Sequence, residues 1–461
     1  MRALLVSTYD LGRQPFGLAS PAAWLRGAGI DTACVDTSRE RLTDEHLSSA
    51  SLIAFYLPMH TATRLAGGLI GRARQINPSA TVAAYGLYAP LNDAWLRERG
   101  VDHVLGPEAE GDLLELANHV AALKGRSYVP DYVPEAGIPR LTLIQADRAG
   151  LPALSRYATL TMPDGSSRTV GSTDATRGCK HLCRHCPIVP VYKGQFRVVP
   201  IDAVMADVAA QVTAGAQHIS FGDPDFLNGP THAKRIVERL AVDFPGLSYD
   251  VTIKIEHLLR HRDMLEVLSR TGCLFVTSAV ESVDDRILEH LRKGHTCADF
   301  ELAVEACRSA GLTLAPTFVP FTPWTTPEGY VHLLETLDRL GLVEAVPSIQ
   351  LVIRLLITSE SPLLELPDIQ AVIGPFECGS LSFPWRHPDS RVDELQDAAM
   401  RLVGGQPQDR GALFNTIAAL ADDAAGRPRR SPREFGKSRT PYLNEPWYCC
   451  AEPVADDIRF V

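Results

Sequence analysis

Three closely spaced cysteines carry the strongest chemical signal in the chain. Cys179, Cys183 and Cys186 lie in the stretch TRGCKHLCRHCP, with the spacing C-x3-C-x2-C. Thiolates at this spacing can surround one soft metal centre. A [4Fe-4S] cluster held by three cysteines keeps one iron open to an external ligand. A zinc ion would instead need His181 or His185 as its fourth ligand.

Two adjacent cysteines near the C-terminus are a second candidate site. Cys449 and Cys450 follow an aromatic pair in the stretch WYCCAEP. Neighbouring thiolates bind thiophilic species such as trivalent arsenic. The pattern leaves three roles open: binding a soft atom, shuttling electrons as a dithiol, or lying near a site that the pair does not serve. Cys34, Cys273 and Cys307 lie in apolar segments and are predicted to be core residues.

Alternating strand and helix patterns follow residue 170 and must position the three clustered cysteines. Candidate strands lie at 169–178, 218–223, 249–255, 273–281, 312–320 and 349–356. They predict a partial (β/α)6 barrel over residues 171–375, with the cysteine loop directly after its first strand. Chemistry in such barrels sits at the carboxyl ends of the strands. The polar side chains near those ends are Asp223, Asp225, Lys254, Glu256, Glu281 and Arg354.

The first part of the chain predicts a separate α/β domain. Its candidate strands lie at 3–7, 32–36, 51–58, 81–86 and 101–106, with helical patterns between them. This alternation predicts a doubly wound, Rossmann-like parallel sheet over residues 1–123. Residues 124–170 are rich in Pro, Gly and Ser and are predicted to be a linker. Residues 376–461 are predicted to form two helices, at 391–404 and 410–426, and an irregular tail.

The cysteine spacing, and its place after the first strand of a six-unit βα series, resemble the radical SAM superfamily. The resemblance implies that Cys179, Cys183 and Cys186 hold the cluster and that the open iron chelates S-adenosylmethionine (SAM). It also implies that an electron, supplied by a donor such as flavodoxin or ferredoxin, cleaves a carbon–sulfur bond of SAM. The usual product is a 5′-deoxyadenosyl radical, which acts on a small-molecule substrate.

Blocks further along the chain extend this resemblance. FGDPDF (221–226) is similar to the segment that holds the SAM amino group, which implies that role for Asp223 and Asp225. The alternative is that one of the two caps the next turn. SAVESVDDRIL (278–288), followed by KGH, implies that Glu281 contacts SAM. Lys254, Glu256 and Arg354 are assigned to the SAM carboxylate, the ribose or the substrate. A structural Lys254–Glu256 ion pair is the alternative.

The N-terminal domain resembles the B12-binding type of domain that precedes many radical SAM barrels. The stretches that carry this likeness are FGLASPAAWLRGAGIDTACVD and VDHVLGPEAEGDLLEL. Cobalamin is therefore a candidate cofactor. The cobalt-ligating motif D-x-H-x-x-G is absent, because Val101 stands where the Asp would be. The loops TYDLGRQPFG and YGLYAPLN would be the contact sites.

The tail resembles that of a radical SAM group named for a CUAEP or CCAEP ending. This group also has blocks similar to FGDPDFLNGP, KIEH and PFTPWTT. The resemblance favours an enzyme that transfers the 3-amino-3-carboxypropyl group of SAM to arsenite held by Cys449 and Cys450, as in arsinothricin-type biosynthesis. A cobalamin-dependent radical SAM methyltransferase and a non-enzymatic redox or metalloid sensor are the alternatives.

The composition limits the kinds of binding partner, and the cellular compartment, that are expected for this chain. The chain has 461 residues, ten cysteines and a formal net charge of -10, which argues against binding nucleic acid through a basic face. Apolar runs are too short to predict a membrane helix. The opening MRALLVSTYDLGRQPFG predicts a buried strand and not a signal peptide. These features predict a cytoplasmic protein whose cysteines are not in disulfides.

Overall fold

The computed structural model describes residues 1–122, 137–403, 409–436 and 440–445. They form two mainly parallel sheets whose carboxyl edges face each other across one cleft. No helix among these residues is long and apolar enough to cross a membrane. The predicted α/β fold class is confirmed.

The N-terminal domain is a five-stranded parallel sheet in the order β2-β1-β3-β4-β5, which is the flavodoxin-like order. Its strands are β1 (Arg2–Ser7), β2 (Asp31–Asp36), β3 (Leu52–Tyr56), β4 (Thr81–Tyr85) and β5 (His103–Val104). Its helices are α1 (Phe16–Gly27), α2 (Asp44–Ser48), α3 (His60–Ile76), α4 (Asp93–Glu98) and α5 (Glu110–Ala122).

Alternation along β1 shows why this sheet has helices on both faces. Leu4 and Val6 pack into one buried cluster, while Ala3 and Leu5 pack into another on the opposite face. Because successive side chains of a strand point to opposite faces, a strand that is apolar throughout must be covered by helices on both faces of the sheet. In sheets of this kind, ligands bind at the carboxyl edge.

The second sheet contains seven strands in the order β13-β12-β11-β10-β7-β6-β14. The strands of this part of the chain are β6 (Thr159–Thr161), β7 (Ser167–Thr173), β8 (Thr176–Gly178), β9 (Phe196–Val198), β10 (His218–Phe221), β11 (Ser248–Thr252), β12 (Cys273–Glu281), β13 (Thr313–Phe318) and β14 (Tyr442–Leu443). Strands β8 and β9 form a separate antiparallel pair.

The remaining helices lie between these strands and in the C-terminal part of the chain. They are α6 (Ile188–Tyr192), α7 (Ile201–Thr213), α8 (Pro230–Asp243), α9 (Ile255–Arg260), α10 (Arg262–Arg270), α11 (Asp285–His290), α12 (Cys297–Ser309), α13 (Pro327–Arg339), α14 (Pro367–Gln370), α15 (Ser390–Val403) and α16 (Arg410–Ala424). The last two agree with the predicted C-terminal helical pair. The predicted domain boundaries stay predictions.

Five of the six predicted barrel strands form a parallel series, β7-β10-β11-β12-β13. The prediction of a sixth strand at 349–356 was wrong over most of its length. Residues 348–351 form a 3-10 helix, and a single bridge from Arg354 to Phe321 is all that extends the sheet there. The predicted first strand, 169–178, is also two strands, because the chain bends at Asp174 and Ala175.

The C-terminal strand β14 extends the barrel sheet beyond β6. It pairs antiparallel with β6, and β6 pairs antiparallel with β7. Strand β14 therefore runs in the same direction as the barrel strands, toward their carboxyl edge. Pro441 and Tyr442 line a small cavity of about 40 Å³ together with inward-facing residues such as Thr252 and Thr277.

Candidate functional site

The cysteine loop leaves the barrel through a bend that Asp223 holds. Both carboxylate oxygens of Asp223 are used there, accepting from the backbone N–H of Ala175 at 2.9 Å and of Thr176 at 2.5 Å, and from the Thr176 hydroxyl at 2.6 Å. Burial, and then the neighbouring Asp174, raise the pKa of Asp223 to about 7. Asp223 thus fixes the start of the loop, and its predicted contact with the SAM amino group stays a prediction.

Gly178, the last residue before Cys179, has a backbone conformation that favours glycine. Its φ is +76°, and a Cβ there would lie 2.3 Å from the ring of Tyr192. A side chain at this position would therefore be both strained and blocked. The loop that presents Cys179 begins with a close approach of its backbone to helix α6.

The three loop thiols suit a cluster better than a single ion. Cys179 and Cys183 are buried and Cys186 is half-buried. The three sulfurs are not a set whose members all lie within 4.8 Å of one another, as ligands of one ion would be. Burial raises the pKa of the Cys179 thiol to about 11, so metal binding must displace its proton at neutral pH. Neither His181 nor His185 completes a zinc site with these thiols within the described residues.

Lys254 brings a positive charge to the cysteines. The predicted strand over 249–255 ends at Thr252, and Lys254 is the N-cap residue of helix α9. Its Nζ lies 3.6 Å from the Sγ of Cys183, and its side chain is buried. A cation here stabilises a thiolate. No Lys254–Glu256 ion pair exists within the described structure, since Glu256 pairs with Arg260 at 2.6 Å.

Glu281 ends strand β12 in a strained conformation, with φ at +71°. Its Oε1 lies 3.1 Å from the Nε2 of His185, in the cysteine loop, and 3.3 Å from the Nζ of Lys293. Burial alone would raise the pKa of Glu281, but Lys293 and His185 outweigh it and lower that pKa to about 2. The carboxylate is therefore ionised and ties β12 to the loop.

Asp225 lies between two histidines. Its Oδ2 is 2.6 Å from the Nδ1 of His257 and 3.2 Å from the Nε2 of His181. Burial would raise the pKa of Asp225, but the two imidazoles outweigh it and lower the pKa to about 2. Burial lowers the pKa of His181, which keeps that ring neutral at pH 7. Asp225, His181 and His257 therefore form a buried polar group beside the cysteines.

Of the six acidic and basic residues predicted to bind SAM, five lie around the cysteine loop and one lies elsewhere. Arg354 pairs with Asp393 at 2.7 Å and stacks 3.6 Å above the ring of Trp385. Its charge is thus already compensated, and its predicted contact with SAM or substrate stays a prediction. Sequence reasoning missed the roles of His257 and Lys293, although both stand inside the quoted blocks KIEH and KGH.

A second polar group fills the cleft between the two carboxyl edges. Arg177 lies 2.8 Å from Glu110 and 3.3 Å from Glu108. Tyr192 donates a hydrogen bond to Glu108 at 2.7 Å, and Ser20 donates to Glu110 at 2.6 Å. All five side chains are largely buried. The charge of Arg177 is thus compensated by two carboxylates, which leaves no free cation in this group of five side chains.

Aromatic rings occupy the rest of this cleft. The rings of Tyr56 and Tyr85 lie 5.4 Å apart at the carboxyl ends of β3 and β4, and Tyr85 donates to the backbone oxygen of Gly17 at 2.7 Å. The cavity that remains measures about 160 Å³, below the roughly 300–1,000 Å³ of typical small-molecule sites. In this arrangement the residues of the cleft do not fit a corrin ring.

Cys449 and Cys450 lie outside the described residues. The last described residue before them is Glu445, whose Oε1 accepts a hydrogen bond from Tyr9 at 3.0 Å. Their predicted role in the reaction therefore stays a prediction.

The sequence comparisons agree with this geometry. A model of the radical SAM superfamily matches residues 174–339, which include the three loop cysteines and strands β10 to β13. A tRNA-2-methylthio-N(6)-dimethylallyladenosine synthase from Haemophilus influenzae is 22% identical over 293 residues, covering 59% of this chain and 56% of the relative. The same enzyme of Fusobacterium nucleatum is 28% identical over 192 residues, covering 38% and 42%. The chain thus spans about half the length of these curated relatives.

Two solved structures share the fold. The cobalamin-dependent SAM radical enzyme OxsB, with aqua-cobalamin and SAM bound, aligns with a TM-score of 0.66 at 12% identity, over 92% of this chain and 71% of that one. The radical SAM methyltransferase TsrM from Kitasatospora setae, with tryptophan substrate and a SAM analogue, aligns with a TM-score of 0.58 at 18% identity, over 74% and 71%.

Residues 174–339 match the radical SAM superfamily, and they follow an N-terminal Rossmann-like sheet of the fold seen in OxsB. The match to the radical SAM superfamily covers residues 174–339, and the likeness beyond them is one of fold. A [4Fe-4S] cluster and SAM are the cofactors of that family. The donor set Cys179, Cys183 and Cys186 fits the cluster by its chemistry and its burial.

Proposed function

We propose that this enzyme joins a carbon of SAM to a thiophilic atom that Cys449 and Cys450 hold, with trivalent arsenic as the favoured atom. The group transferred is the 3-amino-3-carboxypropyl group. In that reaction one electron breaks the carbon–sulfur bond of SAM, methylthioadenosine leaves, and the carbon radical bonds to arsenic(III). The arsenic then gives up one electron and ends as arsenic(V), so the transfer as a whole consumes no reductant. Adjacent thiolates are soft ligands that suit arsenic(III).

The direction of β14 is the observation that supports this role. The strand runs parallel to the barrel strands and thus points toward the edge that carries the cysteine loop. Asn444 continues the pairing, since its N–H donates to the backbone oxygen of Thr159 at 2.9 Å and its Oδ1 accepts from Thr159 N–H at 2.9 Å.

The chain's own residues prepare the barrel edge for SAM. Cys179, Cys183 and Cys186 would hold the cluster, which supplies an electron to SAM when it is bound. Lys254 holds its Nζ 3.6 Å from the Sγ of Cys183. Glu281 fixes the cysteine loop through its contact with His185. The strained backbone of Glu281 lies at the carboxyl end of β12, where barrel sites bind ligands.

A small substrate fits this edge better than a nucleic acid. The curated relatives are named for a modified adenosine of tRNA, but this chain has a net charge of -10. A protein that binds tRNA through its phosphates needs a basic face.

Product analysis tests the proposal. The reconstituted protein is incubated anaerobically with SAM, a reductant and arsenite, and products are identified by mass spectrometry. We expect methylthioadenosine and an organoarsenic product with wild type, and neither product with Cys449→Ser or Cys450→Ser. Cys378→Ser is the matched control, since Cys378 is an exposed thiol outside both cysteine groups. Unchanged activity of the two tail variants would remove the tail from the reaction.

Cobalamin-dependent methyl transfer is the second candidate, favoured by the likeness to OxsB over 92% of the chain. The 160 Å³ cleft and its ion pairs stand against it. Gel filtration after incubation with hydroxocobalamin separates the two candidates. Cobalt that elutes with the protein at about one per chain would favour methyl transfer, whereas cobalt-free protein that still consumes SAM would favour the first proposal.

A further inference from the structure

Three ligating side chains from separate parts of the chain converge beside the cysteine loop. His181 comes from the loop itself, Asp225 from the turn after β10, and His257 from helix α9. Their donor atoms all lie within 4.8 Å of one another, and within the described residues no other set of three His, Cys, Asp or Glu side chains meets this condition. The site is therefore distinct from the three thiols.

Two of these three side chains are fully buried, and three of their polar atoms lack a hydrogen bond within the described structure. Asp225 and His257 are each 0% exposed. Within the described structure, neither ring nitrogen of His257 has a partner with hydrogen-bond geometry. The same holds for the Oδ2 of Asp225, although this atom lies 2.6 Å from the Nδ1 of His257. Buried polar atoms without partners cost folding free energy and call for an explanation.

A metal ion accounts for this arrangement. Donor atoms that share an ion lie about 3 Å apart while each points its lone pair at the ion and not at the other donor. The 3.2 Å separation of Oδ2 from the Nε2 of His181 is of this size, and the 2.6 Å separation from the Nδ1 of His257 would have to widen when an ion binds. The other carboxylate oxygen of Asp225 accepts the N–H of Leu227 at 3.2 Å, which fixes the carboxylate and leaves Oδ2 for the ion.

Glu256 gives the site an outer partner. Its Oε2 lies 3.6 Å from the Nδ1 of His181, the ring nitrogen that faces away from Asp225. A metal-bound histidine usually has its second nitrogen oriented by a carboxylate in this way. The His181 ring is thus placed with Nε2 toward Asp225 and Nδ1 toward Glu256.

We propose that His181, Asp225 and His257 bind one divalent transition-metal ion, next to and separate from the cysteine-bound cluster. Two imidazoles and one carboxylate form a donor set that suits Zn²⁺ and leaves a coordination position for water or substrate. Zn²⁺ is the probe that we choose, because iron at this site would be counted together with cluster iron.

Metal analysis of the reconstituted protein tests the proposal without relying on turnover. The protein is loaded with iron and sulfide, titrated with ZnCl₂, desalted and analysed for zinc, iron and sulfide. We expect about one zinc per chain in addition to about four irons. His257→Gln and Asp225→Asn should lose the zinc and keep the iron, and Glu256→Gln should weaken zinc binding about 10–100-fold.

His261→Gln is the matched control, because the ring of His261 lies 5.6 Å from that of His257 and is not part of the ligand set. It should keep its zinc. Zinc that is absent from wild type, or that binds equally to His257→Gln, would overturn the proposal. If the ligand variants do not fold, zinc X-ray absorption of wild type decides: nitrogen and oxygen neighbours support the site, and sulfur neighbours would place the zinc on the cysteines and overturn it.

Discussion

The two carboxyl edges that face each other in this molecule are built alike and equipped differently. Each belongs to a parallel sheet, where helices cover the faces and ligands bind at the strand ends. The barrel edge carries thiols, a strained Glu281 and ligating atoms without hydrogen-bond partners. The N-terminal edge carries Arg177 neutralised by Glu108 and Glu110, with tyrosine rings above the strands.

This difference shows that the fold supplies a place for a ligand while the side chains decide whether one can enter. At the barrel edge, removing a polar side chain should remove a cofactor and leave the protein folded. At the N-terminal edge, removing a polar side chain should destabilise the fold and leave the cofactor of the barrel edge in place. Four experiments test this division.

Loss of a cluster cysteine should have the largest effect. Replacing Cys183 with Ala removes one of three iron ligands, so we expect iron to fall from about four per chain to near zero after reconstitution. Iron and sulfide assays and the absorbance of the cluster measure this. Cys378→Ala, which removes an exposed thiol, should keep its iron. A Cys183→Ala protein that retains four irons would show that the cluster is held elsewhere.

Replacing Arg177 with Met should affect stability and not the cluster. The change leaves Glu108 and Glu110, each about 2% exposed, without their cation. Breaking a buried ion pair costs about 3–5 kcal/mol, and we expect a corresponding fall in the free energy of unfolding measured in urea. Iron content should stay the same.

The exposed pair of Arg97 with Asp93 provides the control for Arg177. Its removal in Arg97→Met should cost less than about 1 kcal/mol. If both arginine variants were equally stable, the cleft charges would not be holding the N-terminal edge together. Binding of hydroxocobalamin by Arg177→Met alone would show that this ion pair is what closes the cleft.

The sequence predicts the elements that local contacts determine, and it misses those that depend on contacts between residues far apart in the chain. Strands β1 to β4 were predicted within a few residues, because local apolar runs determine them. The break of the first barrel strand was not, since the bend at Ala175 is held by Asp223, far along the chain. The sixth strand failed for the same reason: Tyr330 donates to the backbone oxygen of Leu351, and Phe318 N–H donates to the side chain of Gln350.

The site follows the same rule. The three loop cysteines were predicted because their spacing is local. The convergence of His181 with His257 was not, because only the placement of α9 beside the cysteine loop brings the rings to 4.7 Å. The pairing of Lys293 with Glu281 likewise depends on where the chain returns after α11. A single sequence names the candidates but not their partners.

Adding a methyl group at the N-terminal edge should destabilise the fold less than leaving a buried charge without its partner. Gly17, in the first turn of α1, lies against Tyr56, and a Cβ there would be 2.1 Å from the ring. Gly17→Ala therefore overpacks the cleft, which costs about 1–3 kcal/mol. Gly27→Ala at the other end of α1 meets nothing within 4 Å and is the control. Equal unfolding midpoints for the two variants would mean that the rings above β3 can move aside.

Acid should loosen the N-terminal domain by the smallest amount, through His60. Its Nε2 donates to the backbone oxygen of Ser380 at 2.7 Å, which ties α3 to the C-terminal segment. Burial lowers the pKa of His60 from 6.5 to about 4. The folded protein keeps this ring neutral while the unfolded chain protonates it, so stability is full above pH 6.5 and is lost as the pH falls toward 4. Between pH 7 and pH 5 the loss should be about 1–2 kcal/mol. His60→Gln, which retains a donor to Ser380, should flatten this part of the pH profile relative to wild type. An unchanged slope in the variant would assign the acid sensitivity to another group.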